Sequence, residues 1–236
     1  MTPDILAALT RARQEKRPIV LATRLSDGVQ HLLPDLAQDA ALNAAAEAAL
    51  RDDKSSTVQA SGTAWFLQAH NPPLRLIVVG AVHIAQALVP FASGVGFEVV
   101  VVDPRRSFAS DERFPNVTIR ADWPDEALDA LRPDGRTAVV TLTHDPKLDD
   151  PALDWALRSK AFYIGSLGSR RTHAARLARL RELGHTDAAM ARIRGPVGLS
   201  LEAVTAPEIA LSIVAELVAV RRGAALGERL PARQAA

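Results

Sequence analysis

Apolar positions along the chain show two textures, with the change between them at Asn71-Pro72-Pro73. Before it, apolar runs are short and interleaved with polar residues. Thr2-Pro3-Asp4 has the marks of a helix start: a capping hydroxyl, proline in the first turn, and a carboxylate at the positive end of the dipole. Ile5, Leu6 and Leu9 share one face of that helix, and the pattern stops at Arg17-Pro18. Residues 19–25 read as a strand, Ser26-Asp27-Gly28 as a turn and residues 29–33 as the returning strand. An alanine-rich helix is expected over 35–51, and residues 57–60 and 63–69 flank Ser61-Gly62 as a second hairpin. These elements predict a small α+β domain over residues 1–70.

After the break, apolar runs alternate with stretches of helical spacing. Leu74 to Val79 is stopped by Gly80, and helical spacing follows over 81–91. Further apolar runs occupy 97–102, 117–120, 137–143 and 161–164. Asp122-Trp123-Pro124-Asp125 opens a helix, and further helical stretches span 151–159 and 170–183. A short segment surrounds Ile193 and Gly195-Pro196-Val197-Gly198-Leu199. Ala206-Pro207-Glu208 then opens a long helix whose apolar positions Ile209, Ile213, Leu217 and Val220 recur at helical spacing. Alternating strands and helices predict an α/β fold: a Rossmann-like parallel sheet with helices on both faces over 71–223. A disordered Ala- and Arg-rich tail is expected over 224–236.

Composition narrows the function classes. The 236 residues carry a formal net charge of +1, which gives no basis for binding nucleic acid or an acidic membrane surface. No stretch is apolar for the eighteen or so residues a membrane helix needs, and Arg11 and Arg13 break up any signal-peptide layout. The expected location is the cytoplasm. Cysteine is absent altogether, which removes disulfides, thiolate metal sites, cysteine nucleophiles and persulfide carriage in one step. No cluster has metal-ligand spacing.

Four loops could carry chemistry. Gly80-Ala81-Val82-His83-Ile84-Ala85 has the first glycine and the small third position of a dinucleotide fingerprint. Val82, however, stands where backbone should approach a pyrophosphate. Asp103 closes the second strand of this region where a ribose-binding carboxylate would sit, with Arg105 and Arg106 beside it. His144-Asp145 follows Thr143 at a strand's carboxyl end, the edge where open α/β sheets place ligands, so a proton-carrying imidazole or an orienting carboxylate is available there. Gly165-Ser166-Leu167-Gly168-Ser169-Arg170-Arg171 leads from a strand into a helix N-terminus. Unpaired amides, two hydroxyls and two guanidinium groups suit a phosphate or carboxylate there. His83 and His173 each fall in a first helical turn.

Taken in order, these loops resemble the XdhC/CoxI family of maturation proteins for molybdenum hydroxylases. The matching pieces are Pro72-Pro73 with Leu76 to Ala85, Val101-Val102-Asp103-Pro104-Arg105, Glu112-Arg113-Phe114-Pro115, Leu142-Thr143-His144-Asp145 with Asp149, Tyr163 to Arg171, Gly195 to Leu199, and Ala206-Pro207-Glu208-Ile209-Ala210 with Glu216 and Arg221. They cover about residues 60–223. Two departures are Val82, where the family carries glycine, and residues 1–70, which lack the family's glycine-rich and cysteine-containing motifs.

The resemblance implies an accessory protein without a catalytic residue, which binds molybdenum cofactor (molybdopterin or its dinucleotide form) and passes it to an apo molybdenum hydroxylase of the xanthine or carbon monoxide dehydrogenase type. A cysteine desulfurase as sulfur source and a second copy of the chain are the further partners it implies. The implied cofactor contacts are Gly80, His83, Asp103, Arg105, Thr143, His144, Asp145, Gly165, Ser166, Gly168, Ser169, Arg170 and Arg171; Glu208 also carries over. The competing reading is an NAD(P)-dependent oxidoreductase with a degenerate fingerprint, His144 serving as acid and base. Val82 and the want of a Tyr-Lys pair oppose it. A third reading is a scaffold that docks a partner and holds no ligand.

Overall fold

The computed structural model describes residues 2–35 and 39–225; the tail expected to be disordered lies, from 226 onward, outside the described residues. Two compact units divide the chain, Met1–Pro72 and Pro73–Ala236.

The first unit runs α1 (Pro3–Gln14), β1 (Ile19–Arg24), β2 (Gln30–Leu33), α2 (Ala40–Asp52), β3 (Ser56–Ala60) and β4 (Thr63–His70). Its strands form an antiparallel sheet in the order β2-β1-β4-β3. The β3–β4 hairpin turns on Ser61 and Gly62, both at positive φ, the conformation a two-residue hairpin loop requires. Leu42, Ala46 and Ala49 of α2 close the core on Val20, Ala22, Leu33, Trp65 and Leu67. The helix begins later than its alanine content predicts because Asp39 caps it, accepting from the amides of Ala41 and Leu42.

The second unit begins with β5 (Leu74–Val79), α3 (His83–Gly94), β6 (Phe97–Val102), β7 (Thr118–Arg120) and α4 (Pro124–Leu131). It continues with β8 (Thr137–Thr141), α5 (Pro146–Arg158), β9 (Tyr163–Ser166), α6 (Arg170–Glu182), α7 (Asp187–Met190), β10 (Ile193–Arg194) and α8 (Ala206–Arg221). All six strands are parallel, in the order β10-β9-β8-β5-β6-β7. Apolar residues alternate between two covered faces, which is why the strands read as unbroken runs. Leu76, Val78, Val99 and Val101 pack with α3 and α8, while Ile77, Val79, Val100 and Val139 pack with α4 and α5. Each such side chain contributes about 1.5–3 kcal/mol by leaving water.

From β5 the sheet grows one way through β6 and β7, and from β8 the other way through β9 and β10. The loops after β5 and β8 therefore part at the sheet's carboxyl edge, the place where this class of fold opens a crevice.

Among the boundaries that differ from the pattern-based ones, two bear on the sheet's carboxyl edge. Helix α5 starts at Pro146, not at 151, because Asp145 is its cap, accepting from the Lys147 amide, with Pro146 at the first helical position. Strand β9 continues through Gly165 and Ser166, both buried.

Candidate functional site

Four loops meet the carboxyl edge: Gly80 to Val82, Asp103 to Arg106, Leu142 to Asp145 and Leu167 to Ser169. The first two are joined by Asp103, which is wholly buried. One carboxylate oxygen accepts from the Ala81 amide at 2.9 Å and from an Arg105 guanidinium nitrogen at 2.7 Å, and the other accepts from the Arg105 amide and Nε, both at 2.9 Å. Burial raises the Asp103 carboxyl, but the Arg105 side chain and the two amides outweigh it and hold the group below its ordinary range. Asp103 thus positions the β5–α3 turn and Arg105, and both its oxygens are engaged within the protein. Arg105 lies over the Phe108 ring, 4.6 Å from its centre. Its charge is held first by Asp103, with Asp145 and Asp149 adding to the effect.

Gly80, at φ +111°, serves close approach between loops. A β-carbon there would stand 2.6 Å from the Thr143 methyl. Thr143 organises the next loop: its hydroxyl donates to Asp149 Oδ1 at 2.7 Å and accepts from the Asp145 amide at 3.0 Å. Between them His144 is forced to φ +61°, a left-handed conformation that histidine tolerates better than most residues and that sites use at a cost of order 1 kcal/mol. Its imidazole is exposed and lies beside Gly168, with Nδ1 3.7 Å from where a Gly168 β-carbon would stand.

Gly165 and Ser166, read from the sequence as the head of the anion loop, are corrected here. In β9 a Gly165 β-carbon would meet the Val197 side chain at 2.5 Å, and the Ser166 hydroxyl is paired with Thr141 Oγ1 at 2.6 Å, both wholly buried. Successive strand residues face opposite sides of the sheet, and both sides are covered here, so both positions are buried. The loop facing solvent is Leu167 to Arg171. Ser169 caps α6, accepting from the Thr172 amide at 3.1 Å, and Arg170 and Arg171 are exposed. The first-turn amides lie outside the helix's own ladder, and that turn contains no acidic residue. Helix α3, which begins at the exposed His83, also has no acid in its first turn and no side-chain cap. Helix α5 between them is different, with Asp145 and Asp149 at its start. Two positive helix ends thus flank an acidic one.

Other expectations resolve into structure. Glu208 forms a capping box with Thr205 at the start of α8, and the His173 ring packs on Gly195. Val82 packs partly against the core beneath β5.

Three residues that support the edge from behind carry no spacing signal. Glu216, buried in α8, accepts from the Tyr163 hydroxyl at 2.5 Å and the Gly198 amide at 2.9 Å, and Arg194 approaches it at 3.5 Å. Arg176 in α6 and Asp149 in α5 form a buried ion pair at 3.4 Å. Burial pushes the Asp149 carboxyl up against the pull of Thr143 and Arg176, and burial pulls Arg176 down. A polar residue inside a helix reads as surface until tertiary packing covers it, which is why Arg176 carried no reading and Asp149 and Glu216 entered only as parts of the family resemblance.

A groove of about 260 Å³ borders the α6 start, with Leu167, Arg170, Pro196, Leu199, Leu201 and Ile209 among its walls. A larger cavity of about 350 Å³ lies where β9 and β10 begin, and Arg192 there spends its guanidinium on the carbonyls of Leu157, Ser159 and Ala161. None of the four loops above contributes a residue to it. Among the described residues there is no group of three or more potential metal ligands, and no helix is long and apolar enough to cross a membrane.

Residues 76–217 match the XdhC Rossmann domain. The chain is 35% identical over 150 residues to the molybdenum cofactor insertion chaperone PaoD of Escherichia coli, covering 64% of this chain and 41% of that one. It is 31% identical over 165 residues to a Bacillus subtilis protein named as a probable xanthine dehydrogenase subunit, covering 70% and 48%. It is 34% identical over 163 residues to the E. coli protein YqeB, covering 67% and 29%. In each case the matched stretch is under half the length of the relative. Among solved structures, a xanthine dehydrogenase from Bacillus halodurans superposes with a TM-score of 0.68 at 25% identity, covering 95% of this chain and 66% of that one.

Proposed function

Because the chain belongs to the XdhC family, its residues 76–217 forming the XdhC Rossmann domain, we propose that it is a maturation factor that binds molybdenum cofactor as cargo and delivers it to an apo molybdenum hydroxylase. The observation that carries this reading is the start of α6: a glycine turn, a serine cap, two exposed arginines and no acid. The cofactor's terminal phosphate has the charge and oxygen geometry such a helix end accepts. Gly168, Ser169, Arg170 and Arg171 hold it, and the adjoining groove shelters the pterin rings. His83, Arg105, His144 and Asp145 line the crevice toward the dithiolene–metal end. Gly80, Asp103 and Thr143 position the loops. Relatives named for cofactor insertion and for xanthine dehydrogenase support the same assignment.

In this reading the cargo is chemically unchanged while bound. Without cysteine the chain has no thiolate to carry sulfur, so sulfuration draws on a partner such as a cysteine desulfurase. Its place is the cytoplasm, where apo-enzymes are assembled, and self-association is compatible with the role. The internal engagement of Asp103 disfavours the dinucleotide reading, since the carboxylate that would take the ribose hydroxyls is already bound to Ala81 and Arg105.

The test is the double substitution Arg170→Ala and Arg171→Ala. Charge-assisted hydrogen bonds are worth about 1.5–3 kcal/mol each, so affinity for molybdenum cofactor should fall at least about tenfold. Tm should barely move, because cations at a helix start oppose the dipole. Unchanged affinity at unchanged Tm would remove the phosphate from this loop.

A further inference from the structure

Arg176 is 2% exposed and Asp149 is 1% exposed, so both charges are out of water. Such a pair is a poor stabiliser, because desolvation consumes most of the Coulomb gain. Arg176 is costlier than usual: among the described residues its Nε and Nη1 find no hydrogen-bond partner. Nor is it needed to clamp α5 to α6. Arg179 and Asp150 already do so, with a two-pronged pair at 2.5 and 3.0 Å nearer the surface. What sets the buried pair apart is what else it touches. Asp149 Oδ1 receives the Thr143 hydroxyl at 2.7 Å and the Thr143 amide at 3.3 Å, and the same hydroxyl accepts from the Asp145 amide. On the other side, Arg176 Nη2 donates to the Leu167 carbonyl at 3.0 Å. One ion pair therefore joins the loop that carries His144 and Asp145 to the loop that carries Gly168 and Ser169.

We propose that Asp149 and Arg176 are positioning residues of the carboxyl-edge crevice: through Thr143 and the Leu167 carbonyl they hold its two neighbouring loops in register, and ligand affinity depends on that register. The connection is short. From the Leu167 carbonyl it passes through one guanidinium nitrogen, one carboxylate and one hydroxyl to the Asp145 amide, with no solvent-exposed link. A displacement of about an ångström at either loop separates the α6 start from His144, and misplacements of that size are costly in built sites. This inference rests on the cofactor-binding reading for its ligand but not for its geometry.

The experiment uses the full chain and molybdenum cofactor released anaerobically from a purified molybdenum enzyme. Arg176→Met fills the volume and removes the charge; Asp149→Asn with Arg176→Met removes both charges while keeping an acceptor for Thr143; Arg176→Lys restores a donor for Leu167. Arg179→Met is the control that loosens the helices without touching either loop. The expected results are a loss of about tenfold in affinity or more for both variants that carry Arg176→Met, with the double variant recovering most of the Tm lost in the single one. Arg176→Lys should bring affinity back to within a few-fold, and Arg179→Met should leave it unchanged. A double variant that binds like the unsubstituted chain would reduce the pair to core filling and overturn the proposal. Amide hydrogen exchange provides the arm independent of cargo: Arg176→Met should accelerate exchange at Leu167 to Ser169 and at Asp145 while leaving β5 protected. If the unsubstituted chain binds no cofactor and this loop-specific acceleration is still seen, the function assigned above fails and the positioning role stands. If exchange in the two loops is unaltered, the positioning role fails whatever the cargo.

Discussion

Leu42, Leu67 and Trp65 close the core of the first unit, which buries no polar side chain among the described residues, whereas the second unit buries Asp103, Thr141, Asp149, Ser166, Arg176 and Glu216 beside its valines and leucines. The contrast follows from what each sheet must do. An antiparallel sheet with one helix on it needs only apolar burial, and its polar groups can face water. A parallel sheet covered on both faces delivers loops to one edge. Holding those loops at fixed separations takes directional bonds, which work inside the protein only when their partners are present. Buried polarity therefore marks the part of the molecule where geometry matters more than stability, and it is concentrated behind the candidate site.

Three substitutions test that division. The largest effect is expected from Glu216→Ala, which strands the Tyr163 hydroxyl and the Gly198 amide at about 1–3 kcal/mol each, so roughly 2–6 kcal/mol together. Denaturant unfolding should show the loss, and cofactor affinity should fall with it because Gly198 borders the groove beside α6. Stability lost with affinity intact would break the link drawn between buried polarity and the site. Leu67→Ala in the first unit comes next, at about 2–5 kcal/mol for a fully buried leucine. Here the expected outcome is the opposite pairing, lower stability of the first unit and undiminished affinity in calorimetry on the folded protein. The smallest effect is a pH dependence. Asp103 has its folded pKa depressed, so its contribution to stability is present above the ordinary value of 3.8 and is lost as pH falls through the lower folded one. The stability gap between the unsubstituted chain and Asp103→Asn, measured by urea unfolding, should therefore be full at neutral pH and close below 3.8. A gap independent of pH would mean that shape, not charge, is what Asp103 supplies.

The fold was legible wherever hydrophobic period and punctuation agreed. Leu74–Val79 and Phe97–Val102 are bounded in the structure where their apolar runs end, because Gly80 and Asp103 stop them and both faces of each strand are covered. Legibility failed where a residue type has two meanings. Gly165-Ser166 reads as loop chemistry, yet small residues also serve a strand pressed against a neighbouring segment, and Val197 supplies that pressure from far along the chain. Pro151 reads as a helix start, but Asp145-Pro146 had already supplied the cap and first turn. In the candidate site, the exposed loops announce themselves by glycine, serine and paired arginine. Arg176 does not, and Asp149 and Glu216 do so only through the family resemblance, because a charged residue within a helix is indistinguishable from a solvated one until the fold decides which face is covered.

Helix α8 enters the chain after every strand of the parallel sheet, yet it supplies the carboxylate that receives Tyr163 and Gly198, and its Ala210, Ile213, Val214 and Leu217 join the apolar layer that α3 shares. Order of synthesis and order of need are therefore reversed. While the ribosome is still adding residues before Ala206, that face of the sheet has α3 but not α8 on it, and two buried donors have no acceptor. The carboxyl-edge crevice is therefore complete only once α8 has docked on the sheet.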